Sequence, residues 1–150
     1  MMAVNPIPKD RSRITPYLVV SGADKLLDFL KQVFDAEEFY CMRGSDGSVM
    51  HAEVKIGGES IMMGEAKDEW PPMPGSVYIY VEDTDATYKK ALEAGATSIM
   101  EPADQFHGDR YGGVTDPAGN QWWIVSHVED VSPEELARRE KEFMEQMQQQ

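Results

Sequence analysis

The chain repeats itself. Val20 and Val81 each close a short apolar run, and 81 − 20 = 61; Gly58 and Gly119 each sit in the last turn of a half, and 119 − 58 = 61 again. A fixed offset at both ends constrains the fold more than any local propensity, because whatever the first half forms the second must form too. In the first half "RITPYLVV" reads as a strand. A helix follows, starting within Ser21 to Asp24, with Leu26, Leu27, Leu30, Val33 and Phe34 on one apolar face. "EEFYCMR", "VMHAEVKI" and "SIMMGE" are further strands, turned by Asp46-Gly47 and by "GGE". In the second half "SVYIYVED" is a strand and "TDATYKKALEAGA" a helix with Tyr88, Ala91 and Leu92 inward. "TSIMEP" and "YGGVTD" are strands around a loop, "ADQFHGDR", and "QWWIVSH" is the last strand. Each half therefore reads strand, helix, strand, strand, strand.

The Pro-rich stretch "AKDEWPPMPG" divides the halves. The organisation predicted is an N-terminal arm (1–12), a first βαβββ module (13–65), a linker (66–74), a second βαβββ module (75–128) and a helical tail (129–150). The fold class is α+β: two tandem modules forming curved antiparallel sheets around a cleft, each with its helix on the outer face, plus a C-terminal helix. In the tail Ser132 is the N-cap, Pro133 stands at the first helical position, and Glu135 completes a capping box. Leu136, Phe143 and Met147 are expected to pack on the domain or on a second subunit.

Charge removes some partners. With 27 acidic and 14 basic residues the net charge is −13, which repels nucleic-acid phosphates and anionic membrane surfaces. No apolar run approaches the ~20 residues of a membrane helix. Cys41 is the only cysteine, so no intrachain disulfide forms. With no apolar leader at the start, a cytoplasmic location is expected. There is no phosphate-binding glycine loop, cysteine-pair metal motif or serine nucleophile elbow.

Two stretches resemble a known family. "VSGADKLLDFLKQVFDAEE", and "VYIYVEDTDATYKKALEAGA" followed by "GDRYGGVTDPAGNQWWI", are similar to the vicinal oxygen chelate superfamily (glyoxalase, bleomycin resistance protein, dioxygenase). "ITPYL" and "DRYGGVTDPAGNQWW" look like its glyoxalase-like, bleomycin-resistance-type branch. The resemblance spans roughly residues 13 to 128. It implies paired βαβββ modules, clefts commonly completed across a homodimer and, in metal-using members, four ligands on the concave face. Those positions here are Thr15, Met62, Ser76 and Trp123, and the repeat relates them: 76 − 15 = 61 and 123 − 62 = 61. None supplies the imidazole or carboxylate that a catalytic divalent ion takes, so neither a metal nor any other cofactor is expected.

Strand alternation then sorts the faces. Tyr17, Val19, His51, Glu53, Lys55, Tyr78, Tyr80, Gln121 and Val125 share the cleft face with the four positions above. Ile14, Leu18, Val20, Val77, Ile79, Val81, Trp122 and Ile124 face the helices. The expected ligand-binding set is Thr15, Tyr17, His51, Glu53, Met62, Ser76, Tyr78, Tyr80, Gln121 and Trp123, an aromatic cleft with polar anchors. The leading reading is a metal-independent protein binding a small planar or cationic organic ligand. The alternative is a superfamily enzyme of lyase, isomerase or dioxygenase type, with His51 and Glu53 as acid–base pair or partial metal site. A third is a partner-binding module using the acidic surface and tail helix. His107, in a loop, and His127, at a strand end, read as solvated and structural.

Overall fold

Each half of the chain builds one four-stranded sheet and one helix. The computed structural model describes residues 3–149. Met1, Met2 and Gln150, the extreme ends of the expected arm and tail, lie outside the described residues. The first half gives β1 (Tyr17–Val20), α1 (Ala23–Phe34), β2 (Glu37–Arg43), β3 (Val49–Ile56) and β4 (Glu59–Glu65). The second gives β5 (Ser76–Tyr80), α2 (Thr84–Glu93), β6 (Thr97–Asp104), β7 (Asp109–Thr115) and β8 (Gln121–His127). Helix α3 (Pro133–Gln148) follows.

The sheet orders are β1-β4-β3-β2 and β5-β8-β7-β6. The repeat is kept in the pairing itself. Tyr17 lies opposite Met62 and Tyr78 opposite Trp123, with 78 − 17 = 61 and 123 − 62 = 61. One strand further in, Met62 faces Glu53 and Trp123 faces Gly113, and 113 − 53 = 60. The slip is absorbed in the last hairpins. The first turns tightly on Gly57 and Gly58, both at positive φ (57° and 87°), as a two-residue hairpin requires. The second uses the longer Asp116–Asn120 turn.

The sheets are mixed, which corrects the antiparallel expectation. β1 runs parallel to β4 and β5 parallel to β8. The reason is topological: the helix returns the chain, and the meander of three strands then reverses it twice. The last strand therefore points the same way as the first, and the crossover makes a parallel pair possible.

One apolar core joins the halves. Leu18, Val20, Ala52, Val54 and Met63 meet Leu26, Leu27, Phe29, Leu30 and Val33 of α1. On the second side Val114, Trp122, Ile124 and Ala91 belong to the same cluster. The halves meet chiefly through α1 and α2, where the Phe34 ring lies 5.2 Å from that of Trp122. Ile14 is a correction: it is 85% exposed, because β1 begins only at Tyr17 and Ile14 lies ahead of any strand register. Leu92 is also exposed, since the buried side of α2 runs through Thr84 and Ala91. Val77, Ile79 and Val81 pack against the core but are only half-buried, because β5 is an edge strand.

Helix α1 is capped from a distance. Its N-cap is Gly22, with no side-chain cap of its own. Instead the Glu65 carboxylate, at the end of β4, accepts from Gly22 N at 3.0 Å and Ala23 N at 2.9 Å. A carboxylate there satisfies orphan amides and complements the helix dipole. In α3 Ser132 Oγ accepts from Glu135 N at 3.2 Å. The reciprocal half of the expected box does not form, because Arg138 and Arg139 claim the Glu135 carboxylate and pull its pKa down to about 2. No residue of α3 is fully buried; Phe143 packs on Phe106 with ring centroids 4.9 Å apart, and Arg139 bonds Glu129 and Phe106 O. Among the described residues no helix is long and apolar enough to cross a membrane.

Candidate functional site

The adjacent tryptophans of β8 divide the sheet. Trp122 is fully buried on the helix side. Its indole N–H donates to Asp116 Oδ2 at 2.6 Å. The buried Asp116 carboxylate also accepts from Ala118 N, Asn120 N and Asn120 Nδ2, and Asn120 Oδ1 accepts from Gly75 N. The "DPAGN" turn is therefore structural: it orients Trp122 and ties the linker to β8.

Trp123 lies on the other face. Its N–H donates to Ser76 Oγ at 3.2 Å, and its ring lies over Gly113 of β7. A Cβ at Gly113 would stand 2.5 Å from the indole edge. Gly113→Ala is accordingly expected to displace the half-buried indole, shifting its fluorescence, while unfolding free energy falls by only about 1 kcal/mol because the ring can swing outward. An unchanged emission spectrum would contradict this placement.

Beyond Trp123 the face is aromatic. Ring centroids of Trp123 and Tyr111 are 5.8 Å apart, of Tyr111 and Tyr78 6.1 Å, and of Tyr78 and Tyr80 5.6 Å, all edge-on. At its base sits Asp109, nearly buried. Asp109 Oδ2 accepts from the Tyr80 hydroxyl at 2.8 Å and the Tyr78 hydroxyl at 3.1 Å. Its Oδ1 lies 2.9 Å from His127 Nδ1, and His127 Nε2 lies 2.7 Å from Asp130 Oδ1. His107 Nδ1 stands 3.8 Å from Oδ2.

The electrostatics follow from these bonds. Burial pushes the Asp109 carboxyl up, but hydrogen bonds from His127, Tyr80 and Tyr78 outweigh it, and the net direction is down. The His127 pKa is raised by its bond to Asp109 and then by that to Asp130, so both ring nitrogens face acceptors that favour the imidazolium. Burial and then donation to Asp109 raise the Tyr78 pKa; for Tyr80 donation to Asp109 is the leading cause. Both phenols stay protonated, with their hydrogens committed to a carboxylate. Their remaining lone pairs can only accept.

Asp109, Tyr111 and His127 were not among the sequence-derived site residues. β7 starts at Asp109, not at Tyr111, and alternation then puts Asp109, Tyr111 and Gly113 on one face with Trp123 and His127. The available signal was the two-residue step from Trp123 to Val125 to His127; the strand start at Asp109 was concealed by Gly108 and the loop-like "ADQFHGDR".

On the first module the face is assembled differently. Tyr17 lies over Gly64, where a Cβ would meet its hydroxyl at 2.6 Å, and that hydroxyl is 3.0 Å from His51 Nδ1. Glu53 is buried and faces Arg11 of the N-terminal arm, with Nε 3.2 Å from Oε2. His51 and Glu53 thus have separate partners, and no hydrogen bond joins the expected acid–base pair. Met62 lies half-buried between Tyr17 and Glu53. Thr15 precedes β1 and its hydroxyl donates to Ser12 O. Gln121 is exposed at the start of β8. Of the expected site residues, Tyr17 and His51 line one groove and Tyr78 and Tyr80 line another, while Thr15, Glu53, Met62, Ser76, Gln121 and Trp123 line neither. The first, about 210 Å³, holds Tyr17, His51, Met42 and Trp70; the other, about 480 Å³, lies between the modules and holds Tyr78, Tyr80, Ile14, Pro16 and Ile61.

Comparison with known proteins agrees with the architecture. The family model of the Glyoxalase/Bleomycin resistance protein/Dioxygenase superfamily matches residues 12–124. The chain belongs to this superfamily. Uncharacterized protein Mb0911c of Mycobacterium bovis is 35% identical over 149 residues, covering 90% of this chain and 93% of its own. The crystal structure of TioX from Micromonospora sp. ML1 has a TM-score of 0.67 at 23% identity, over 78% of this chain and 99% of that one. A glyoxalase/bleomycin resistance protein/dioxygenase family enzyme from Burkholderia phytofirmans PsJN has a TM-score of 0.63 at 16% identity, over 76% and 97%.

Metal-using members of the superfamily need nitrogen or oxygen ligands on the concave face. In this chain the Trp123 indole N–H is a donor only, with no lone pair for a metal, Met62 brings a soft thioether, and Thr15 and Ser76 bring neutral hydroxyls. The set Thr15, Met62, Ser76 and Trp123 does not fit a divalent ion. Among the described residues no three His, Cys, Asp or Glu side chains come together as a metal-holding group elsewhere.

Proposed function

We propose that this superfamily member binds a small planar organic cation on the aromatic face of β5, β7 and β8, as a ligand-sequestering protein that does not use the family metal. The observation that carries the reading is Asp109. By taking the hydrogens of both Tyr78 and Tyr80 it makes the phenol oxygens pure acceptors, set among the π faces of Tyr111 and Trp123. Acceptor oxygens amid aromatic faces attract cationic and N–H-rich rings and disfavour anions. The net charge of −13 adds a general attraction for cations.

Tyr78 is 47% and Tyr80 61% exposed in the single chain. A face this open encloses a ligand only when something covers it, and a homodimer is part of the proposal. A sedimentation mass near 16.9 kDa, that of one chain, would count against it.

The ligand test uses N-methylacridinium as probe, with uncharged acridone and an acridine carboxylate as controls. The cation should quench tryptophan emission and bind most tightly. Trp123→Ala should weaken it at least about ten-fold, equivalent to ~1.4 kcal/mol. Equal binding of all three probes, or unchanged binding by Trp123→Ala, would overturn the reading.

A further inference from the structure

A second carboxylate lies on the face of the other module's sheet that points away from its helix, and its present partner comes from the chain's own arm. In β3, Ala52 and Val54 point into the core, and His51, Glu53 and Lys55 point away from it. Glu53 is nonetheless 1% exposed. A carboxylate held out of water needs full hydrogen bonding, and Glu53 does not have it. Its Oε2 is buried and accepts no hydrogen bond; Arg11 Nε stands 3.2 Å away as a charge contact without donor alignment. A guanidinium that grips a carboxylate well does so with two parallel N–H donors, and Arg11 makes no aligned N–H bond to Glu53 Oε2, from a side chain that is 39% exposed. Arg11 belongs to an arm without helix or strand. Near this contact the arm is held by Lys55 Nζ donating to Asp10 O at 2.6 Å and by Ser12 bonds to Glu59 and to Ser60 N. The Phe39 ring completes the surroundings, with Arg11 and Lys55 at 5.5 and 4.5 Å from its centroid.

We infer that Glu53 anchors the amidinium or guanidinium head of a small ligand, and that Arg11 occupies this anchor in cis until the ligand displaces it. The site is distinct from the aromatic face around Asp109. Exchange is isoelectric: one monocation leaves Glu53 as another arrives, and Lys55 stays held by Asp10 O. An amidinium can offer two parallel N–H groups to the carboxylate, satisfying the oxygen that Arg11 leaves unbonded. The Phe39 ring that now lies beside Arg11 then lies beside the incoming cation. The arm lowers apparent affinity by the fraction of time it covers Glu53.

Benzamidine titrated into the full chain tests this, with benzamide as the neutral isostere. Arg11→Ala should bind benzamidine at least ten-fold more tightly than the unsubstituted chain in calorimetry, and Arg11→Ala combined with Glu53→Gln should lose that binding. Benzamidine is itself a planar cation, so every titration is run in a Trp123→Ala background, which disables the aromatic face around Asp109; the gain from Arg11→Ala and its loss on adding Glu53→Gln should persist there, so failure of one reading is distinguishable from failure of the other. Where Arg11→Ala does not fold, the unsubstituted chain gives the answer by nitrogen-15 NMR. Saturating benzamidine should move the Arg11 Nε–H signal to the position of free arginine. Equal affinity with and without Arg11, binding that survives Glu53→Gln, or an unmoved Arg11 signal would overturn the inference.

Discussion

Trp122→Ala is expected to lower the unfolding free energy by about 3–5 kcal/mol, the range for emptying a buried tryptophan site. The same change at Trp123 is expected to cost about 1 kcal/mol, the scale of its edge-on aromatic contact. The two residues are neighbours of identical type, so composition and propensity cancel and only their faces differ. Trp122 has no exposed surface, packs on Phe34 between the halves, and donates to a buried carboxylate at 2.6 Å. Its removal leaves a cavity at the junction of α1 and α2 and strips one of the donors that satisfy Asp116. Trp123 is half-buried on the opposite face, and its loss leaves no enclosed void. Urea unfolding monitored by circular dichroism measures both changes; equal costs would contradict the division of faces.

Asp109→Ala is expected to cost about 2–3 kcal/mol, the upper part of the range for hydrogen bonds to a charged group. The figure stays below the sum of its bonds, because the half-exposed Tyr78 and Tyr80 hydroxyls can turn to water. The substitution should also release both phenols from their acceptor-only state and weaken binding of N-methylacridinium, linking stability and recognition in one residue. The clearest readout is His127. Its pKa is raised in the folded chain, so its contribution to stability is complete below the unfolded value of about 6.5 and is lost as pH rises through the raised value. The Asp109 pKa is lowered, so its contribution is complete above about 3.9 and is lost as pH falls through the lowered value. The pair therefore stabilises most between about pH 4 and 6.5. Asp109→Asn should shift the His127 titration, followed by proton NMR, down toward its ordinary value, leaving only the bond to Asp130. An unmoved titration would show that Asp109 does not hold the imidazolium.

Legibility in the sequence was uneven for identifiable reasons. The 61-residue repeat survives in the pairing of Tyr17 with Met62 and Tyr78 with Trp123, since side chains facing one core must keep their register. Period-two alternation correctly separated Trp122 from Trp123, because a pleated strand gives its neighbours opposite faces. The same rule failed for Ile14, which alternation reaches only if the strand extends that far; the ladder stops at Tyr17. The Asp109 network was missed because a strand boundary lies inside a loop-like segment. His51 and Glu53 share a face but not a proton, since an arm residue far along the chain reached Glu53 first.

The sequence by itself determined the doubled order of strand, helix and three strands, and the opposite faces of Trp122 and Trp123. These depend on periodicity, which is local and survives without knowing any distant neighbour. Tertiary structure decided what closes each polar group: Glu65 capping α1 across 43 positions, Arg11 over Glu53, and Asp109 joining β5, β7 and β8 through Tyr78, Tyr80 and His127. Hydrogen bonds and ion pairs depend on atoms meeting within about 3 Å. Residues so far apart in sequence carry no periodic trace of that meeting, so only the folded chain reveals which carboxylate each donor finds.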